Sequence, residues 1–262
     1  MSSLSRRGMI KSASMFTLGA SAVPFSWAFL DVAAKAASGD GETKLELVDA
    51  FNLFDFKRIA RQHLDPGSYA YVSGGAGDEL TLKANRQSYD RIRLRTRVLV
   101  DVSSLDTKIS LFGQELAHPI LLAPTGLHRQ FHPDGELATV KGATDAKAAM
   151  VVSTYANTRI EDVAEAATEP LWFQLYLQKD RGFTRELVQR AEDAGCRAIC
   201  LTVDAPVLGA RNRQERAKFR PRHGIPNLWG HPIVRTQREN RKGSIYSPLL
   251  QSDASWKEVE WL

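Results

Sequence analysis

From Ile120 onward the sequence alternates short apolar runs with amphipathic stretches, and this alternation narrows the possible folds more than any other feature. The runs are ILLAP (120–124), AMVVST (149–154), LWFQLYL (171–177) and AICLTVD (198–204); the stretches between them, about 135–147, 160–167 and 183–194, have helical periodicity. The runs are apolar on consecutive rather than alternate residues, as expected of strands covered on both faces of a parallel sheet. Gly135, Gly182 and Gly195 mark the joints, and successive runs start 22 to 29 residues apart, a fair repeat for βα units.

Two architectures use such units, an open doubly wound sheet and an eight-fold barrel. Both place their sites at the carboxyl ends of the strands. Here those ends carry Pro124 and Thr125, Ser153 and Thr154, Gln174 and Tyr176, and Thr202 and Asp204. The segment after the first run, APTGLHRQFHPDG, is not a glycine-rich dinucleotide loop, which puts the barrel ahead. Eight units would need roughly 200 residues from Ile120, more than the chain holds. The expected fold class is therefore α/β, a (β/α)8 barrel truncated to about its first four units, with two sheet edges left unpaired. The last residues, SDASWKEVEWL, read as the start of a helix, capped by Asp253 or Ser255, with Trp256, Val259 and Leu262 on one side. This too suggests an architecture interrupted part-way.

Upstream, residues 37–50 read as a linker. FDFKRIARQHL (54–64) predicts a short helix with Phe56, Ile59, Ala60 and Leu64 on one side, broken by Pro66 and Gly67. A helical turn, a glycine-rich bend and a second helix from about Asp78 to Tyr89 follow, and TKISLFGQELAHP reads as a hairpin around Gly113. The expected organisation is 51–118 as helices and hairpin before the barrel, and 119–262 as the barrel portion with a long fourth loop, 205–254. Within it, the segment 212–250 is rich in Arg, Pro and Gly and is expected to be a mobile lid.

The first 36 residues hold Arg6, Arg7, Lys11 and Lys35 against Asp31, with a modestly apolar run from Ser12 to Leu30 and a small-residue stretch around Ala34-Lys35-Ala36. This is the anatomy of an export signal, and SRRGMIK resembles the twin-arginine type, so a periplasmic destination is expected, with cleavage after Ala36. Ser, Thr, Gly and Pro interrupt the apolar run, which argues against a stable membrane span. The formal net charge is +5, yet outside these residues 31 basic and 29 acidic side chains remain, too balanced for a nucleic-acid surface. The two cysteines, Cys196 and Cys200, are expected in the core, and no Cys or His cluster has metal-ligand spacing.

Several segments, in order and correctly spaced, carry a resemblance: YVSGGAGDE, APTG, WFQLY, LTVDAPVLGARNR and SWKEVEWL. From about Phe54 to its last residue the chain resembles the FMN-dependent 2-hydroxy-acid dehydrogenase and oxidase family, which includes glycolate oxidase, lactate oxidase, lactate monooxygenase and membrane-associated L-lactate dehydrogenase. The resemblance implies FMN as cofactor and a small 2-hydroxy acid, lactate- or glycolate-like, as substrate, oxidised to the 2-keto acid. It implies that Pro124, Thr125 and Gly126 lie along the flavin ring, and that Ser153, Gln174 and Thr202 meet its polar edge or anchor the cofactor. It gives Tyr71 and Tyr176 as hydroxyl donors to the substrate, Arg211 as a substrate-side cation and Asp204 as the acid supporting a catalytic histidine. Gly126 replaces the alanine common at its position, leaving more room beside the flavin.

The same resemblance implies parts that are not found in this sequence. The family takes its proton with a histidine in an HGG segment, steadies the flavin with a lysine on the fifth strand, and seats the phosphate on loops after the seventh and eighth strands. The six histidines, His63, His118, His128, His132, His223 and His231, lie elsewhere. The expectation is a polypeptide without turnover alone. It would be either the N-terminal part of the enzyme, with a family-like homo-oligomer when the barrel is whole, or a noncatalytic remnant or split-gene half needing a complementary C-terminal chain. An unrelated periplasmic binding module with an open α/β sheet is the remaining alternative.

Overall fold

A computed structural model describes residues 45–205, 207, 209–231 and 249–262. The expected export signal (1–36) and most of the linker lie outside the described residues. The chain divides into two units, Met1–Asp55 and Phe56–Leu262. In the first, the Asn52 side chain accepts from the Phe54 and Asp55 backbone N–H groups at 2.8 and 3.2 Å and so caps helix α1 (Leu53–His63).

In the second unit, Asp65 caps α2 (Pro66–Ser73), accepting from the N–H groups of Gly67 and Ser68, with Pro66 at the first position where no N–H is needed. Helix α3 (Leu80–Asp90) follows the glycine-rich bend. The predicted hairpin is β1 (Ile109–Leu111) paired antiparallel with β2 (Gln114–Leu116). Its two-residue turn places both Phe112 (φ 50°) and Gly113 (φ 73°) in the left-handed region, matching the turn to the twist of the strands. Phe112 adopts this conformation with its ring edge-on to Trp172 at 5.4 Å, while Trp172 Nε1 donates to Gln114 Oε1 at 3.2 Å. The hairpin is thereby fastened to the sheet.

The predicted βα repeat is present. Helix α4 (Glu136–Asp145) leads to β3 (Met150–Ser153), α5 (Ile160–Glu165) to β4 (Leu171–Tyr176), and α6 (Arg181–Asp193) to β5 (Ile199–Thr202). The strands form a parallel sheet in the order β3-β4-β5, with Ser153 opposite Gln174 and Tyr176 opposite Thr202. The first expected strand, 120–124, is reduced to one parallel bridge between Leu122 and Met150, held by Leu122 N–H to Ala149 O (2.9 Å) and Val151 N–H to Leu122 O (3.0 Å). Among the described residues the sheet is an open part of a barrel. Its core sits between sheet and helices, with Val152, Phe173 and Leu175 fully buried against Val140, Ile160, Val163, Phe183 and Leu187.

Three expectations need correction. Burial on both faces holds for β3 but fails for β5, where Ile199 and Cys200 are exposed because, among the described residues, β5 has a strand partner on one side only. Cys200 is therefore not a core residue; Cys196 is partly buried, and burial pushes its thiol up to about 12. The fourth loop is also not a free lid over its first part. Leu228 joins the hydrophobic core, Asn227 is fully buried, and Asn157 Nδ2 donates to Gly224 O at 2.7 Å. Residues 232–248 of that loop lie outside the described residues.

The loop's return is anchored too. Lys179 N–H donates to Leu249 O and Gln251 N–H to Leu177 O, an antiparallel bridge onto the end of β4. Helix α7 (Asn212–Arg216) lies within the loop, and α8 (Trp256–Trp261) closes it. As expected, Ser255 caps α8, in a reciprocal capping box with Glu258. Glu258 pairs with Arg181 at 2.8 Å, and Trp261 lies beneath the guanidinium groups of Arg181 and Arg185. Trp256 and Val259, on the face singled out from the sequence, are exposed.

Candidate active site

The parallel strands bring their last residues into one row. Gln174 near the end of β4 is buried. Its Oε1 accepts from Ser153 Oγ (3.1 Å) and from the Thr154 backbone N–H (3.2 Å), and its Nε2 donates to Thr202 Oγ1 (2.8 Å) on β5. Ser153, Gln174 and Thr202, singled out separately in the sequence, thus form a continuous polar chain across three strands. Thr154 reinforces it by donating from Oγ1 to Gln174 O at 2.6 Å. Ser153 Oγ accepts from Tyr155 N–H at 3.1 Å, which turns the chain into the loop after β3.

Beside this row stand tyrosines. The rings of Tyr155 and Tyr176 are 4.9 Å apart. Burial, aided by the neighbouring Tyr176 and Tyr71 rings, pushes the Tyr155 phenol up to about 12. Tyr176 is raised chiefly by burial, then by Tyr71 and Asp204, so Asp204 lies within electrostatic reach of it. Tyr71 is raised by burial against the opposing charge of Arg211. All three phenols therefore stay protonated at neutral pH and can donate hydrogen bonds.

Tyr71 is held from both sides. Its ring stacks on Phe219 at 4.5 Å and lies 6.2 Å from Phe131, while Arg211 Cζ sits 5.0 Å from its centroid. Arg211 Nη2 donates to the backbone carbonyls of Tyr71 and Gly74, and its buried Nε has no partner among the described residues. Arg213 repeats the clasp through Glu79 (3.1 Å) and Ser73 (2.6 Å), and Gly77 N–H donates to Ala210 O. The start of loop 205–254 is thus sewn to the YVSGGAGDE segment.

Pro124 and Thr125 are exposed and Gly126 is partly covered. A methyl group on Gly126 would meet Tyr155 Cβ at 3.1 Å and Tyr155 O at 3.3 Å, so the missing side chain is matched by Tyr155. Leu127 N–H donates to Tyr155 O at 3.0 Å, fixing that approach. Asp204 is exposed, and five of the six histidines are engaged elsewhere. His63 bonds Ile59 O, His118 bonds Ala146 O, His128 bonds Thr139 Oγ1, His132 accepts from Asp134 N–H, and His231 packs on Phe183. Sequence reasoning missed Tyr155, Asn157 and Asn227. Tyr155 alone had a local signal, lying two residues beyond Ser153 at a strand end.

The donor set is hydroxyls, an amide and one guanidinium. Such a set suits the polar edge of a flat heterocycle and a carboxylate. Among the described residues no group of three or more His, Cys, Asp or Glu is placed to hold a metal ion.

Comparison with known proteins gives this arrangement its context. A family profile described as FMN-dependent dehydrogenase matches residues 60–262. The chain belongs to this family, the FMN-dependent 2-hydroxy-acid oxidases and dehydrogenases. It is 42% identical over 220 residues to L-lactate oxidase of Nostoc sp., covering 80% of this chain and 60% of that protein. It is 38% identical over 215 residues to glycolate oxidase 1 of Oryza sativa subsp. indica, covering 80% and 58%. Among solved structures, mandelate oxidase with (S)-2-phenylpropionate superposes with a TM-score of 0.63 at 38% identity, covering 65% of this chain and 51% of that one. The chain thus spans about 60% of the length of the curated relatives named here.

Proposed function

We propose that this chain supplies the flavin-edge and substrate-carboxylate side of an FMN-dependent oxidoreductase that converts an L-2-hydroxy acid to the 2-keto acid. The observation that carries the reading is the Ser153–Gln174–Thr202 row, three polar side chains linked across three strand ends beside two tyrosines whose rings lie 4.9 Å apart. Those residues fit the nitrogen- and oxygen-bearing edge of FMN, and the exposed peptide surface at Pro124–Gly126 offers a place for the ring face. When bound, FMN supplies the two-electron acceptor for the substrate's 2-carbon. The protonated hydroxyls of Tyr71 and Tyr176 and the Arg211 guanidinium hold the substrate carboxylate and its reacting end. Asp204 orients a histidine that takes the hydroxyl proton.

In this reading that histidine belongs to the part of the family fold that residues 1–262 do not span, since five of the six histidines here have other partners and His223 lies within loop 205–254. Among the described residues the outer border of β5 is open, with Ile199, Cys200 and Val203 exposed, which supports further strands of the family fold pairing there. Export through a twin-arginine signal is part of the proposal and rests on residues 1–36 alone.

The test is co-expression with a polypeptide carrying the remaining strands of a lactate oxidase. The complex is expected to be yellow, with a flavin band near 450 nm that bleaches on addition of L-lactate, whereas the chain alone does not turn over. Turnover by the chain alone would remove the need for an external base. A colourless, well-folded complex would overturn the cofactor assignment.

A further inference from the structure

Glu136 opens α4 and is 1% exposed, yet it belongs to no strand end and to no group proposed to touch cofactor or substrate. Its three partners are all donors. Oε1 accepts from the backbone N–H groups of Asn157 (2.8 Å) and His128 (3.2 Å), and Oε2 accepts from Thr158 Oγ1 (2.8 Å). His128 lies in the loop after the Leu122 bridge, and Asn157 and Thr158 lie in the loop after β3. Asn157 extends the junction, its Oδ1 accepting from Arg129 N–H (3.1 Å) and its Nδ2 donating to Gly224 O. One carboxylate therefore joins two loops whose direct backbone link is the single bond from Leu127 N–H to Tyr155 O, and through Asn157 a third.

We infer that Glu136 is a positioning residue, the buried anchor that sets the spacing between loop 124–130 and loop 153–158 and so holds Gly126 against Tyr155. A carboxylate suits the task because it accepts at both oxygens and offers no competing donor. Its place in the first turn of α4 adds the favourable field of the helix N-terminus. The consequence for flavin binding rests on the function proposed above, since both loops carry residues assigned to the flavin. The anchoring itself does not depend on that reading.

The experiment is amide hydrogen exchange by NMR on the 262-residue protein and its Glu136→Gln and Thr158→Val variants, with FMN titration alongside. The E136Q amide would keep one oxygen but lose the charge and place an NH2 group where Thr158 donates. The expected result for E136Q is a loss of protection of about 10-fold at the His128 and Asn157 amides, the scale of a charge-assisted bond made neutral. Protection at Val152 and Phe173 should be unchanged. T158V, which spares Oε1, should leave the two loop amides within about twofold of the parent. The His128 ring should titrate lower in E136Q, because the Glu136 charge opposes the lowering by burial. Unchanged protection at both amides, or an equal loss at Val152 and Phe173, would overturn the inference. If the protein takes up FMN, E136Q should weaken it about 10-fold at equal thermal midpoint. If the parent alone takes up none, the flavin consequence is read on the yellow complex described above, and the exchange data alone decide the anchor.

Discussion

Replacing Gln174 by Met tests whether the polar row is a built network or a coincidence of neighbours. Met has a similar volume and leaves no cavity, so the effect should come from hydrogen bonds. Three side-chain bonds are removed, but their partners are not equally harmed. Thr154 N–H keeps its bond to Gln174 O at 3.0 Å. Thr202 Oγ1 is partly exposed and can turn to water. The Ser153 hydroxyl, 5% exposed, keeps Tyr155 N–H as donor but loses the acceptor for its own proton. One stranded buried group costs about 1–3 kcal/mol, and the two partly compensated partners cost less. The expected loss is about 2 kcal/mol, a factor of roughly 30 in the folding equilibrium. Urea unfolding at pH 7 and 25 °C with an unchanged slope reads it directly. The Ser153→Ala, Gln174→Met double variant should then lose less than the two single losses combined, with a coupling of about 1 kcal/mol, because the stranded hydroxyl is gone. A Gln174→Met loss below about 0.5 kcal/mol, or additivity within that margin, would refute the network.

Two further outcomes follow from the same geometry. Arg190 grips Glu161 through Nε at 2.7 Å and Nη2 at 3.1 Å, and with Arg159 beside it holds the carboxyl at about 2 rather than 4.5. The folded-state value is depressed, so this stabilisation is complete above about pH 4.5 and is lost as pH falls toward 2. Screening at a side chain one-third exposed reduces it to about 1–2 kcal/mol, and Glu161→Gln should flatten the acid limb of the stability profile by that amount. Gly126→Ala should cost about 1 kcal/mol by thermal unfolding and perturb the near-ultraviolet circular dichroism of the Tyr155–Tyr176 pair, because the new methyl meets Tyr155 Cβ at 3.1 Å. An unchanged spectrum would show that Tyr155 is not what fills the place of the missing side chain.

Much of the fold was legible because its signals were local. The βα alternation, the Gly113 hairpin and the Ser255 cap each depend on residues close in sequence, and each element lies within a few residues of its expected place. The first strand was misread because ILLAP has the composition of a strand, but only Leu122 makes a ladder pairing. Cys200 was misread because an apolar run does not reveal which side of its strand has a neighbour. The anchored part of the fourth loop could not be read at all. Its fixity depends on Asn227, whose Oδ1 accepts from Ile160 N–H 67 residues earlier, and on Arg211 and Arg213, which reach back about 140 residues. Composition shows only a polar, glycine- and arginine-rich stretch.

The same division separates the two sides of the candidate site. The Ser153–Gln174–Thr202 row follows from parallel pairing: Ser153 lies opposite Gln174, and Thr202, opposite Tyr176, is on the same face and within diagonal reach of the Gln174 amide, so residue type and strand position suffice to find them. The Tyr71 and Arg211 side has no such guide, because α2 and the fourth loop share no ladder. Their meeting depends on a stack of Tyr71 on Phe219, on carbonyls taken by Arg211, and on Arg222, which pairs with Asp65 and donates its backbone N–H to Gln130 Oε1. Each of these contacts is polar or partly exposed and individually weak, so the cluster stands by having several together. The Ser153–Gln174–Thr202 row, two of whose members lie on the buried strands β3 and β4, should thus be the more rigid half of the candidate site. The Tyr71 and Arg211 half should be the more readily reshaped, at little cost to stability, by substitutions in the described part of loop 205–254.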